Sequence, residues 1–109
     1  MIRLLDSVRR PGIDEGLLQY DEKPDALLLD VRSPMEYSEG RIPGSMNIPI
    51  HALDKVKDMA DNKDTPIFVY CHSGSRSAFA AAMLREMGYA NVRNLGGISA
   101  YRGRMERSS

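Results

Sequence analysis

The chain has 109 residues, and its 15 basic and 15 acidic side chains give a formal net charge of zero at neutral pH. This length predicts one domain, residues 1–109, with a single core, and the neutral balance gives no reason to expect a nucleic-acid partner. The N-terminus lacks the apolar segment of a secretion signal and no stretch has the length of a membrane span, so we expect a cytoplasmic protein with no membrane partner.

The N-terminal part of the chain predicts a helix followed by a buried strand. Residues 1–12 are expected to form an extension ahead of a core over about 13–103. A short amphipathic helix is predicted over about 13–22, with three apolar residues on one face: Ile13, Leu17 and Tyr20. Residues 26–31 are a nearly continuous apolar run, which predicts a strand buried on both faces, as in a parallel sheet.

The next segment begins with a strong signal for a helix start. Ser33 can cap the helix, Pro34 fits its first position, and Glu36 stands where the second member of a capping box is found. The helix is short, because Gly40 follows closely. A turn and a short strand are expected over 41–49.

The second half of the chain continues the alternation of helices and strands. In order we expect a helix over 51–60, a strand over 67–70, a helix from 77 to 87, a strand over 91–95, a tight turn at Gly96 and Gly97, and a helix from Ile98 to about Glu106. This alternation predicts an α/β fold with a mainly parallel sheet flanked by helices. Ligands of such sheets bind beyond the carboxyl ends of the strands, which is where Cys71 lies.

Cys71 is the only cysteine in the chain, which excludes an intrachain disulfide and a cysteine-cluster metal site, and a reducing compartment suits a free thiol. A thiol between a strand and a helix N-terminus is shifted towards the thiolate. In the five-residue loop that follows, Gly74 allows the backbone to curl inward and Arg76 can close the rim as a permanent cation. The pattern predicts a nucleophilic cysteine that attacks an anionic substrate, the alternative being a buried structural cysteine.

Other polar residues near the predicted strand ends have two interpretations each. Asp30, Arg32 and Glu36 either line the mouth of the site or form ion pairs that hold the loops, and we favour the structural role because buried charges are normally paired. His72 is either a solvent-facing loop residue or a catalytic one. His51 is expected at the surface.

Four motifs in order resemble the rhodanese family over about residues 13–103. They are Asp30-Val31-Arg32 with Glu36-Tyr37, Gly40-Arg41-Ile42-Pro43-Gly44-Ser45, Cys71-x-x-Gly74-x-Arg76-Ser77, and Gly88-Tyr89 with Gly96-Gly97-Ile98. The chain departs from the family's usual pattern at Arg41, where histidine is common, and at Tyr101, where tryptophan is common. It also lacks an obvious first strand.

The resemblance implies a three-layer domain with a parallel sheet of four to five strands and a sulfurtransferase activity without a cofactor or metal. Cys71 would take the outer sulfur from thiosulfate or a persulfide donor, carry it as a persulfide, and pass it to cyanide or a thiol. The active-site loop would be His72, Ser73, Gly74, Ser75 and Arg76, whose amides would hold the sulfur anion, with Arg76 orienting an anionic donor.

Two alternatives to this activity stay open. A module that carries persulfide sulfur from a partner protein, or only docks one, would use the same loop with a protein donor or acceptor. A cysteine phosphatase is a more distant alternative, because phosphatase loops have five residues between cysteine and arginine and this chain has four. The shorter loop suits a sulfur atom better than a tetrahedral phosphate.

Overall fold

A computed structural model describes residues 12–108 of the chain, so the predicted N-terminal extension lies almost entirely outside the described residues. The helices are α1 (Ile13–Asp21), α2 (Pro34–Glu39), α3 (Val56–Met59) and α4 (Ser75–Glu86), with 3₁₀ helices at Ile50–Lys55 and Ile98–Ala100. The strands are β1 (Leu27–Asp30), β2 (Met46–Asn47), β3 (Ile67–Cys71) and β4 (Val92–Gly97). None of the helices within 12–108 is long and apolar enough to cross a membrane.

The strands form one parallel sheet in the order β2-β1-β3-β4, which confirms the predicted fold class. β3 lies between β1 and β4, and all five of its residues are buried. Its unbroken apolar sequence therefore matches a strand covered on both faces. The resemblance allowed a fifth strand, whereas residues 12–108 contain four.

Helices cover both faces of the sheet and divide the core into two clusters. On one face α4 and α3 pack against side chains of β1 and β3 such as Leu29 and Val69. On the other face α1 packs against Leu28 and Phe68, the neighbours of those residues along each strand. Successive strand side chains point to opposite faces, so each strand contributes to both clusters. The result is the predicted three-layer arrangement.

The start of α2 has the predicted capping box. The Ser33 hydroxyl accepts a hydrogen bond from the Glu36 amide at 3.2 Å, and a Glu36 carboxylate oxygen accepts one from the Ser33 amide at 3.0 Å. Two amides without intrahelical partners are satisfied in this way, which fixes where the chain turns after β1.

The prediction of a final helix over 98–106 is wrong. A single 3₁₀ turn ends at Ala100, and the chain then continues without regular secondary structure, with a bend at Gly103, until Glu106 pairs with Arg41 in an antiparallel bridge. Both backbone hydrogen bonds of this bridge form, at 2.8 and 2.9 Å. A short helix that contains Gly103 is marginal by itself, and the bridge supplies the backbone with partners that a helix would otherwise have to provide.

The predicted turn at Gly96 and Gly97 is also wrong, because β4 continues through both residues. The pairing of β3 with β4 shifts register by one residue here, so Leu95 has no partner on β3 and Gly96 adopts a positive φ of 97°. This is a β-bulge, which glycine accommodates without strain. The predicted helix over 51–60 is divided into a 3₁₀ helix and α3, with a kink at Ala52.

Candidate active site

Cys71 is the last residue of β3, and α4 begins four residues later at Ser75. The helix therefore starts two residues earlier than predicted, and the connecting loop contains only His72, Ser73 and Gly74. Gly74 has a φ of 108°, so the predicted need for a positive φ at this position agrees with the structure. Ser75 and Arg76 lie in the first turn of the helix, and their amides belong to its N-terminus.

The loop and the first turn of α4 enclose the Cys71 sulfur. The Gly74 amide donates a hydrogen bond to Sγ at 2.9 Å. Burial by itself raises the pKa of the Cys71 thiol, but hydrogen bonds from the Ser77 hydroxyl and from the amides of Ser77, Gly74 and Arg76 outweigh it and lower the pKa from its ordinary value. The surroundings thus favour the thiolate, as predicted for a thiol at a helix N-terminus.

Ser77 contributes to this site, although the sequence interpretation placed it only at the end of the resembling motif and at the start of a helix and gave it no role. Its side chain is buried, and its hydroxyl also lies 3.0 Å from the Gly74 carbonyl oxygen. The hydroxyl carries one proton, so the sulfur and this carbonyl compete for it. A small hydroxyl residue directly after the Cys-to-Arg segment was the available sequence signal.

β4 supports the loop from below. Gly97 passes so close that a Cβ atom at this position would lie 2.3 Å from the His72 carbonyl oxygen and 2.6 Å from Ser73 Cα. The Ser99 amide donates a hydrogen bond to the same His72 oxygen at 3.1 Å. The end of β4 and the turn after it therefore determine where the loop lies, a role that the sequence interpretation did not assign to Gly97 or Ser99.

Arg76 is not the free cation that the sequence predicts. Its guanidinium forms two hydrogen bonds to the Glu36 carboxylate, at 2.8 and 3.0 Å. These bonds from Arg76 are the main reason why the pKa of Glu36 is lowered to about 2, with the Ser33 amide acting in the same direction. Glu36 is consequently ionised at neutral pH, and it links the start of α2 to the first turn of α4.

The structural role favoured for Asp30 and Arg32 agrees with the structure. Asp30 is fully buried, and both of its carboxylate oxygens accept hydrogen bonds from Arg32, the shortest at 2.6 Å. The Arg32 amide donates to the same carboxylate, and its guanidinium also donates to the Gly40 carbonyl oxygen. The pair holds the loop after β1 against the turn after α2.

Two depressions border the loop. One, of about 430 Å³, is lined by residues from four segments: Arg32, Glu36, Glu39, Gly40, His72, Ile98, Ser99 and Met105. The other, of about 550 Å³, lies along α4 and is mainly apolar: Ile50, His51, Ser75, Arg76, Phe79 and Met83. Of the predicted loop residues, His72, Ser73 and Ser75 are exposed, and His51 is at the surface as expected.

Comparison with known proteins identifies close similarities over most of the chain. The family model of the rhodanese-like domain matches residues 14–104. The chain is 41% identical over 78 residues to a sulfurtransferase of Allochromatium vinosum, covering 71% of this chain and 72% of that protein. It is 35% identical over 71 residues to the thiosulfate sulfurtransferase PspE of Escherichia coli, covering 64% and 68%.

Solved structures give the same result for the fold. The structure described as rhodanese with anions from E. coli superposes with a TM-score of 0.71 at 30% identity, and the match covers 75% of this chain and 98% of that one. The match therefore spans nearly the whole of that protein.

Proposed function

The chain belongs to the family of rhodanese-like sulfurtransferases, and from this premise we propose that it moves a sulfane sulfur from a donor to a thiophilic acceptor through a persulfide on Cys71. The observation that carries the proposal is the enclosure of Cys71 Sγ by amides of the loop and the first turn of α4. A thiolate is the required nucleophile, and the same amides suit the anionic outer sulfur of a persulfide.

The first step takes sulfur from the donor. With thiosulfate, the Cys71 thiolate attacks the outer sulfur, a bond forms between the two sulfur atoms, and the bond to the sulfonate sulfur breaks. Sulfite leaves with the electron pair, and Cys71 holds the transferred sulfur as an anionic persulfide. No proton has to move, so no general base is needed beside the thiolate.

The second step returns Cys71 to its thiolate. Cyanide or a thiolate attacks the outer sulfur of the persulfide, and the bond within the persulfide breaks with its electrons left on Cys71 Sγ. Thiocyanate or a new persulfide is released. Two successive displacements of this kind give ping-pong kinetics.

Cys71 lies beneath the active-site loop. It has no exposed surface, so a donor or an acceptor approaches Sγ past residues 72–74. The exposed side chains of His72 and Ser73 leave this short loop free of packing on its outer side. We assign His72 no chemical step, since the transfer requires no acid or base.

The alternatives make distinguishable demands on the same residues. A phosphatase needs a cation for a phosphate dianion, and the engagement of Arg76 by Glu36 leaves this cation occupied. A persulfide carrier would accept sulfur only from a partner protein and would not react with thiosulfate.

The test is the intact mass of the reduced protein after incubation with thiosulfate, with the Cys71→Ser variant as the matched control. We expect the wild type to gain one sulfur atom and to lose it to cyanide, and the variant to gain nothing while keeping its fold. A wild-type protein that gains no sulfur although its thiol is free would contradict transfer from small donors and favour a carrier. Sulfur on the serine variant would refute the role of Cys71.

A further inference from the structure

We propose that Glu36 sets the donor preference of Cys71, favouring persulfides of low negative charge over small dianions such as thiosulfate. The inference rests on the proposed function, since it concerns the donor at the same cysteine. It starts from the charges around the loop, where the sequence pattern alone predicts a free arginine and the described residues 12–108 supply none.

The charged side chains at the mouth of the site carry more negative than positive charge. Among the described residues, Arg32 is the one cation that lines the depression beside His72, and its guanidinium is engaged by Asp30. Glu36 and Glu39 line the same depression. The only other cation at the loop within 12–108 is Arg76, which Glu36 occupies. In the described part of the chain, the site therefore has two cations, Arg32 and Arg76, and three carboxylates, those of Asp30, Glu36 and Glu39. Each of the two cations forms an ion pair.

Positive potential is instead concentrated at the bottom of the site. The Gly74 amide donates a hydrogen bond to Sγ, and the amides of Arg76 and Ser77 in the first turn of α4 also favour a sulfur anion there. A donor presents its outer sulfur to this cradle and leaves the rest of its structure at the mouth, beside the Glu36 carboxylate. Thiosulfate leaves a sulfonate there, which meets no free cation and is repelled by the one carboxylate in excess, whereas an uncharged organic group is not repelled.

The transfer from such a donor balances without a further reactant. The Cys71 thiolate attacks the outer sulfur of R–S–SH, a bond forms between the two sulfur atoms, and the S–S bond of the donor breaks. R–S⁻ leaves with the electron pair, and the proton stays on the transferred sulfur as Cys71 becomes Cys–S–SH. The leaving thiolate brings one negative charge to the mouth of the site, whereas the sulfite that leaves from thiosulfate brings two.

The negative charge of Glu36 is fixed by the fold. With a pKa of about 2, it stays ionised at every pH at which a thiolate forms on Cys71. Its carboxylate is also held by the Ser33 amide at the start of α2, so it cannot turn away from the mouth without opening the capping box. The charge of Arg76 is thus balanced by Glu36 at every pH at which Cys71 reacts.

The variant Glu36→Gln separates charge from structure. Glutamine also serves in a capping box, and its one carbonyl oxygen can accept from the Ser33 amide and from one Arg76 nitrogen, as Glu36 Oε1 does. The substitution removes one negative charge and the acceptor of the second Arg76 nitrogen. If Glu36 only holds α2 and α4 together, this variant leaves donor preference unchanged. Glu86→Gln is the matched control, because it makes the same change in net charge ten residues along α4, about 15 Å from Arg76 and beyond the screening length.

A first measurement needs no sulfur transfer. The rates at which iodoacetate and iodoacetamide alkylate Cys71 are compared for each protein, and their ratio reports the electrostatic potential at the mouth because the thiolate fraction cancels. We expect Glu36→Gln to raise the ratio of iodoacetate to iodoacetamide rates about threefold and Glu86→Gln to leave it unchanged. An unchanged ratio in Glu36→Gln would refute the role of Glu36.

A second measurement concerns the donors themselves. The kcat/KM for thiosulfate and for the persulfide of 2-mercaptoethanol are compared, and we expect Glu36→Gln to raise the thiosulfate value roughly tenfold, because thiosulfate carries two charges, with little change for the persulfide. Equal changes for both donors would overturn the donor assignment. Absence of sulfur on Cys71 with either donor would instead refute the proposed function, and the alkylation ratio would still decide the effect of Glu36.

Discussion

Replacing Gly97 with alanine adds one methyl group at the point where β4 passes beneath the active-site loop. The new Cβ would lie 2.3 Å from the His72 carbonyl oxygen, 2.6 Å from Ser73 Cα and 2.8 Å from the Ser73 carbonyl carbon. Ordinary contacts between such atoms are about 3.5 Å, so the loop has to move by about 1 Å. Gly97 itself has a φ of −109°, which alanine adopts freely, so the contact is the whole effect.

The size of the effect follows from what the loop carries. Gly74 is the third residue of the loop, and its amide hydrogen bond to Sγ is 2.9 Å long. A displacement of about 1 Å is enough to break this bond, and misplacement of reacting groups by that distance lowers rates about 100-fold. We therefore expect persulfide formation on Gly97→Ala to be roughly 100-fold slower, together with a loss of about 1–3 kcal/mol in the free energy of unfolding from overpacking.

Gly96→Ala is the matched control for this prediction. Gly96 has a positive φ of 97°, but a Cβ there would meet no atom within 4 Å. The control is therefore destabilised by about 1–2 kcal/mol through backbone strain, without a push on the loop. The assay is the time course of intact mass with thiosulfate, alongside urea denaturation of each variant. Equal rates of persulfide formation in the two variants would refute the argument that β4 positions the loop.

The remaining predictions concern the charged groups around the site. Alkylation of Cys71 by iodoacetamide should reach half its maximal rate at a lower pH in the folded protein than in the urea-unfolded chain, because hydrogen bonds lower the pKa of Cys71. Ser77→Ala should raise the midpoint of the folded protein, because it removes one of these hydrogen bonds. Coincident midpoints in the folded and unfolded wild-type chains would contradict the lowered pKa and, with it, the contribution of Ser77. Arg32→Met should lower the free energy of unfolding, measured by urea denaturation, by about 3–5 kcal/mol, because it leaves the carboxylate of Asp30 buried without its ion-pair partner. A loss of less than about 1 kcal/mol would show that the charge of Asp30 is satisfied in another way.

The features that could be predicted from the sequence are those determined by neighbouring residues. The strands β1 and β3 follow from short apolar runs, and the start of α2 follows from the capping box of Ser33 and Glu36. Each signal lies within a few neighbouring residues. The position of Cys71 between a strand and a helix is local in the same sense, and so is the positive φ of Gly74. In each case propensity and hydrogen bonding within one turn agree with the final fold.

The features that could not be predicted depend on residues far apart in the chain. The irregular segment after Ala100 is held by a bridge between Arg41 and Glu106, and nothing near Glu106 indicates that partner. Gly96 and Gly97 have the composition of a turn, but hydrogen bonds to β3 keep them in a strand. Tertiary pairing overrides local preference in both places, because a strand supplies partners for backbone groups that a turn leaves open.

The charge distribution at the site also depends on residues far apart in the chain. The loop motif alone therefore does not determine which donor the site prefers. The order of cysteine, glycine and arginine predicts an amide cradle closed by a cation, and the cradle is present. Whether the cation acts on a substrate is decided 40 residues earlier, by the acidic side chain at the third position of α2. If residue 36 were neutral, the same loop would present the uncompensated charge of Arg76 to a dianion. Donor preference must therefore be inferred from the loop and Glu36 together.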